Sequence, residues 1–236
     1  MNSLTGAEGV ATRADGTVLT RGPGSIPVSV RAHGFHHVGD PDVVDGHVFD
    51  AYQGPEPGSA KMFLVTRSDG KRLEYRHELD AGELYNNSLA TVSPDHQWLV
   101  SGEFGVQRRL QVFPAPLLNE STPATGGALP QAGQITLDRP VEDVQSCDFF
   151  SARRLVCDAG QGRVFQVDLD RAVDGEPGAG KVTDVLNLPK ISKCSGAYEA
   201  EGLDYDTKTK TLRASMLSPG LCKGATVIFS YHWTRK

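Results

Sequence analysis

The sequence holds no apolar run approaching the ~20 residues that cross a bilayer, so no helical membrane span is expected. No cluster of lysine and arginine tracks a groove, and 24 basic residues are outnumbered by 29 acidic ones, which argues against a nucleic-acid partner. There is no Cys-x-x-Cys and no cysteine–histidine spacing of the kind that holds zinc. A Gly-x-Ser-x-Gly elbow and a glycine-rich phosphate loop before a helix are both missing. No segment sustains a 3.6-residue hydrophobic period. Residues 81–89 are the best helical candidate and too short to count on. No signal peptide is visible at Met1, and the polar opening suits either a cytosolic start or a mature chain with an added Met.

What the chain has in quantity is turns, with 26 Gly and 14 Pro. It also has four cysteines, an even number. Cys147 and Cys157 stand symmetrically about Ala152 at the tip of an expected hairpin. Non-hydrogen-bonded antiparallel partners lie about 4.5 Å apart at Cα, within disulfide reach. Cys194 and Cys222 then remain as a second expected pair, in loops flanking the last hairpin. Two bridges imply an oxidising, extracytoplasmic compartment.

One phrase recurs along the chain: a polar entry, a short strand, a turn and a second strand. It is seen at Glu8-Gly-Val-Ala11, His37-Val-Gly-Asp40, Asn87-Ser-Leu-Ala90, Gln145-Ser-Cys-Asp148 and Glu201-Gly-Leu-Asp204. Asp15-Gly16, Asp45-Gly46 and Ser68-Asp-Gly70 supply hairpin turns. Four strands per unit at a period near 50 residues predict an all-β β-propeller over residues 1–236, a single five-bladed domain. The last unit lacks a strand. An N-terminal strand, residues 27–33 or the hairpin before it, is expected to complete that blade and close the ring. Residues 114–133, rich in Pro, Gly, Ser and Thr, read as a long surface insertion. Trp98, Phe63, Phe113, Phe165 and Phe229 read as inter-blade core. His47 and Asp50 read as surface positions, and Glu103 as part of a turn.

The first strand of each blade lines the axis. The repeat register places Glu8, His37, Asn87 or Ser88, Gln145 and Glu201 at similar depth, one per blade. Carboxylate and amide oxygens suit a divalent cation, calcium first, with the imidazole shifting preference toward zinc or manganese. Glu201 is the expected chief ligand or base, with Asn87, Gln145 and Glu8 as supporting ligands and His37 as a ligand or proton carrier. The plain alternative is a wet rim where polar residues merely meet water. Neighbouring His36 and His37 point to opposite faces of a strand, so at most one faces the axis.

The Glu-Gly-Leu and Glu-Gly-Val entries, with an Asn in another blade and Ser-Pro-Asp at a turn, resemble the inner strands of gluconolactonase, strictosidine synthase and paraoxonase-like propellers. That resemblance implies a metal-assisted hydrolase of lactones or esters, with Glu201 and Asn87 on the metal. His37 and Gln145 depart from it, standing where Asn or Asp would be expected, and those families usually have six blades and longer chains. The whole chain also reads like secreted actinobacterial proteins of unassigned role. A second phrase, Gly39-Asp-Pro-Asp-Val43, is similar to the first blade of five-bladed inverting glycoside hydrolases, which implies Asp40 or Asp42 as base and Glu201 as acid. Aromatics at 7% are few for sugar platforms, and the third Asp of that family is missing. A non-catalytic propeller that binds a ligand or protein through its loops, residues 114–133 above all, is the main alternative to an enzyme. A monomer is expected in every case.

Overall fold

The computed structural model describes residues 2–3, 8–54, 60–224 and 226–232. Strand β1 (Asn2–Ser3) is followed by a hairpin of β2 (Gly9–Thr12) and β3 (Val18–Arg21), then by helix α1 (Val28–Ala32). A second unit comprises β4 (His37–Val38), β5 (Asp42–Val44), β6 (His47–Gln53), β7 (Ala60–Thr66) and β8 (Arg72–Glu78). Pro41, which has no N–H for a ladder, separates β4 from β5, and both pair with β6. The third unit is β9 (Ala90–Val92), β10 (Trp98–Ser101), β11 (Val106–Pro114) and, after the short β12 (Gly127–Ala128), β13 (Gly133–Glu142). The fourth runs β14 (Val144–Ser151), β15 (Arg154–Ala159), β16 (Arg163–Leu169) and β17 (Gly178–Asn187). The fifth is β18 (Glu199–Asp206), β19 (Thr211–Leu217) and β20 (Thr226–His232).

Within each unit successive strands pair antiparallel, and the first strands pack in a ring. β2 lies against β5 and β18, β9 against β5 and β14, and β14 against β18. The chain is therefore an all-β propeller. Four units carry full four-stranded sheets, and the β2–β3 unit stays a two-stranded hairpin among the described residues.

Each sheet buries both faces because side chains alternate along a strand. Phe49, Ala51, Phe63 and Val65 point toward Leu99 and Phe113 of the third unit. Tyr52, Met62 and Leu64, on the opposite face of the same strands, pack with Ile26, Val30 and Phe35. Leu110, Val112 and Ile135 meet Phe149, Leu155 and Phe165. Val156 and Val164 meet Leu203, Leu212 and Ala214. Each fully buried side chain of this size contributes roughly 1.5–3 kcal/mol. The aromatic residues expected in the core lie there, with Trp98 and Phe229 only partly covered.

Three expectations need correction. Residues 27–33 are not a strand. Val28 and Val30 suggested alternation, but Val28 is exposed and Val30 alone is buried, and the segment turns as α1. It covers the second unit's face where outer strands of the first would otherwise lie. Closure comes from β1, whose Asn2 and Ser3 pair with Val227 and Thr226 of β20. Residues 114–133 do not form a loose insertion. Ala115 and Leu129 are buried in the core, the Tyr75 hydroxyl donates to the Pro123 carbonyl at 2.7 Å, and β12 adds in parallel to β8. Gly126 makes this possible: its φ is +83°, and a Cβ there would lie 2.5 Å from the Glu74 carbonyl oxygen.

The outer strands are thereby covered. β12 lies on β8, β1 on β20, and β13 and β17 pair with each other in parallel. Such cover removes the open ladders that invite edge-to-edge association. Asp50 is also not a surface residue: it is 1% exposed and takes Arg21 in a two-pronged pair at 2.5 and 2.9 Å, fixing the hairpin to β6.

Both expected disulfides are present, Cys147–Cys157 across a β14–β15 pair and Cys194–Cys222 across 28 residues. They are consistent with an extracellular location. Among the described residues no helix is long and apolar enough to cross a membrane. Replacing Cys194 and Cys222 together by serine is expected to cost roughly 3–4 kcal/mol, from the loop-closure entropy returned to the unfolded chain. Urea unfolding of the double variant checks this, and a loss below about 1 kcal/mol would contradict it.

Candidate functional site

The five inner strands start at one end of the axis, here the upper mouth. The repeat register holds in part. Glu8, His37 and Glu201 gather there, joined by Glu199, which shares the β18 entry with Glu201. The Glu8 carboxylate lies 3.5 Å from His37 Nε2, with the imidazole half-exposed. Glu199 lies 3.7 Å from Lys223 Nζ.

Glu201 is 6% exposed. Burial pushes its carboxyl up to about 10. The charge of Glu8, a hydrogen bond with Glu199 and the charges of Glu199 and Asp158 add to this. A carboxyl so placed stays neutral at pH 7 and acts as a hydrogen-bond donor. Burial also raises Glu8. His37 and Lys223 oppose that rise, while Glu199 adds to it.

Beside this group lies an open groove of about 470 Å³, lined by Gln145, Glu199, Tyr198, Phe104 and Arg163 among others. Glu199 and Gln145 thus reach the groove, with Glu201 behind. Asn87 stands apart. It is fully buried, its Oδ1 accepts the Ser101 hydroxyl at 2.6 Å, and its amide donates to the Met62 and Tyr52 carbonyls at 3.2 and 3.4 Å.

Asp40 lies deeper, 1% exposed, as a hub of the ring. Its carboxylate accepts the Val10 N–H at 2.7 Å, the Ser146 hydroxyl, and the Leu203 N–H at 3.4 Å. Its backbone N–H donates to the Ser88 carbonyl at 2.8 Å and its carbonyl accepts the Ala90 N–H at 3.0 Å. Asp40 therefore ties its own segment to the other four inner strands. Gly9 and Gly202 let the strands close on it, since a Cβ on either would lie 2.8 or 2.7 Å from its Oδ1.

At the other mouth three carboxylates stitch inner strands together. Asp42 accepts the Val92 N–H at 2.7 Å, Asp148 the Tyr205 N–H at 2.6 Å, and Asp204 the Thr12 N–H at 2.9 Å. Burial raises all three, Asp42 to about 6. Asp148 and Asp204 close the same four-residue phrase of the repeat, a signal that could have found them, whereas Asp42 stands two residues past the end of its phrase.

The reading of single residues missed a buried network between the second and third units. Lys61, with no exposed surface, lies 2.6 Å from Glu83, 2.6 Å from Gln111 Oε1 and 3.4 Å from Glu103. Glu103, expected in a turn, is buried here at 4% exposure. A lysine inside a hydrophobic strand gives no periodic signal of its partners, which come from β10–β11 and the turn after β8.

No protein-family model and no curated protein matches the chain. Solved structures are similar in part. The major allergen Mala s 1 of Malassezia sympodialis is 14% identical at a TM-score of 0.49, with 83% of this chain and 55% of that chain covered. XC5397, a gluconolactonase of Xanthomonas campestris, is 16% identical at 0.45, covering 92% and 63%. The β-propeller domain of Cps50 (Swd1) from Myceliophteria thermophila is 11% identical at 0.40, covering 90% and 59%. The chain thus spans less than two thirds of the length of each.

Proposed function

We propose that the protein is a secreted small-molecule hydrolase of lactone or ester type, working at the upper mouth. The observation that supports this is a neutral acid, Glu201, hydrogen-bonded to a carboxylate that lines a groove, with an imidazole–carboxylate pair at the same rim. Ester hydrolysis needs these two functions together. His37, held by Glu8, takes a proton from water as the oxygen attacks the substrate carbonyl. The bond to the leaving oxygen breaks as Glu201 passes its proton to Glu199, which hands it to that oxygen and returns to a carboxylate, and solvent then reprotonates Glu201. Solvent returns the proton from His37.

The donors at this mouth are oxygens, the type that suits calcium. Among the described residues, however, no three acidic or histidine ligand atoms at this mouth lie within 4.8 Å of one another, and Glu201 is neutral, so these side chains do not fit the ion and no step is routed through one.

A hydrolysis screen of lactones and esters, with and without added calcium, tests the reading. Glu201→Gln is expected to stay folded and lose at least about 100-fold in kcat/KM. Equal turnover by this variant, or none by the wild type, would contradict it. A second reading, a non-catalytic binding propeller, is favoured by Leu84, Phe104, Val106, Ile191 and Leu221. These are exposed apolar residues on upper-end loops or the strand start beside them. An inactive wild type would leave this reading standing.

A further inference from the structure

The turn after β8 carries a group that the proposed reaction does not use. Glu83 N–H donates to the Asp80 carbonyl at 3.0 Å, Asp80 N–H donates to Glu83 Oε2 at 2.9 Å, and Gly82 takes a φ of +80°. This tight turn folds back on His77 near the end of β8. One ligand atom each from His77, Asp80 and Glu83 then lie within 4.8 Å of one another, and no other group of three among the described histidine, cysteine and acidic residues does so.

The imidazole is 4% exposed and faces an acceptor on each side. Nδ1 lies 3.2 Å from the Leu129 carbonyl oxygen and Nε2 lies 2.8 Å from Glu83 Oε2. A ring carrying one hydrogen satisfies only one of them. The other nitrogen needs a second hydrogen or a cation. With Nδ1–H on the Leu129 carbonyl, the Nε2 lone pair faces Glu83 and Asp80. Backbone carbonyls orient metal-ligating histidines in this way. A separation of 2.8 Å also suits two neighbouring ligands of an ion bound at about 2.0–2.2 Å.

Glu83 is prepared for the role. Its Oε1 is occupied by Lys61 and Gln111 at 2.6 and 2.7 Å, which leaves Oε2 toward His77. Asp80 is exposed and gives the group an open side for entry and for a water ligand.

We propose that His77, Asp80 and Glu83 bind one borderline divalent ion, zinc first and manganese second, at the junction of the second and third units. One imidazole and two carboxylates form the nitrogen–oxygen set these ions accept. The site is separate from the upper-mouth carboxylates.

The test is zinc titration of the full chain after chelator treatment, against a chromophoric competitor. One equivalent is expected to bind. Asp80→Asn, at an exposed position, is expected to weaken binding at least about tenfold with an unchanged melting temperature of the chelated protein. His77→Gln is expected to abolish binding. No zinc binding by the wild type would overturn the proposal, as would equal binding by Asp80→Asn. Binding lost only in Glu201→Gln would place the ion at the upper mouth and also overturn it, while hydrolysis results would bear on the mouth alone.

Discussion

Asp40→Ala is expected to be the most damaging single substitution in the molecule. It removes one carboxylate and leaves the Val10 N–H, the Leu203 N–H and the Ser146 hydroxyl without their shared acceptor in the interior. Each buried donor stranded in this way costs about 1–3 kcal/mol. The sum, on the order of 3–9 kcal/mol, is a large fraction of the roughly 5–15 kcal/mol that holds a typical domain folded. The variant should unfold at low urea or fail to fold. Asp40→Asn keeps one carbonyl acceptor and should lose less. A midpoint for Asp40→Ala near that of the wild type would mean that Asp40 does not tie the ring together.

The second large effect concerns pH and Glu201. A carboxyl raised to about 10 in the folded state binds a proton that the unfolded chain releases near 4.5. The folded state then holds more protons between those limits, so stability falls as pH rises through that window. Below pH 4.5 the difference is fully recovered. At pH 7 the penalty is roughly 3 kcal/mol, since each pH unit above the unfolded value is worth about 1.4 kcal/mol. Glu201→Gln resembles the neutral acid in shape and hydrogen bonding. It should therefore be more stable than the wild type by up to about 3 kcal/mol at pH 7, by more at pH 8, and by nothing near pH 4. The sign is the sharp part: this substitution in a candidate active site should stabilise. Asp40, Asp148 and Asp158, also raised by burial, push the wild type in the same direction.

Much of the fold could be read from local signals. Asp-Gly turns flanked by alternating residues marked the hairpins, and the facing cysteines followed from symmetry about Ala152. The parts that escaped depend on contacts distant in sequence. The Val28-Ser-Val30 alternation fits a strand and a short helix equally well, and packing of Val30 alone decides between them. Residues 114–133 look like solvent-facing turns until Leu129 and Ala115 find the core. At the candidate site the repeat brought Glu8, His37 and Glu201 to one mouth. It could not show that Asn87 spends its amide on the backbone, or that Asp40 points into the ring. Glu199 was visible two residues before Glu201, but its part as the groove-facing partner needed the geometry of β18.

The central claim is that Glu201 is a neutral acid held at the upper mouth. Carbon-13 NMR of the glutamate carboxyl groups, titrated from pH 4 to pH 9 and assigned with Glu201→Gln, tests it most directly. The account predicts that the Glu201 carboxyl carbon keeps the shift of a protonated acid through pH 8, while exposed glutamates ionise near 4.5. A Glu201 signal that titrates near 4.5 with the others would contradict it.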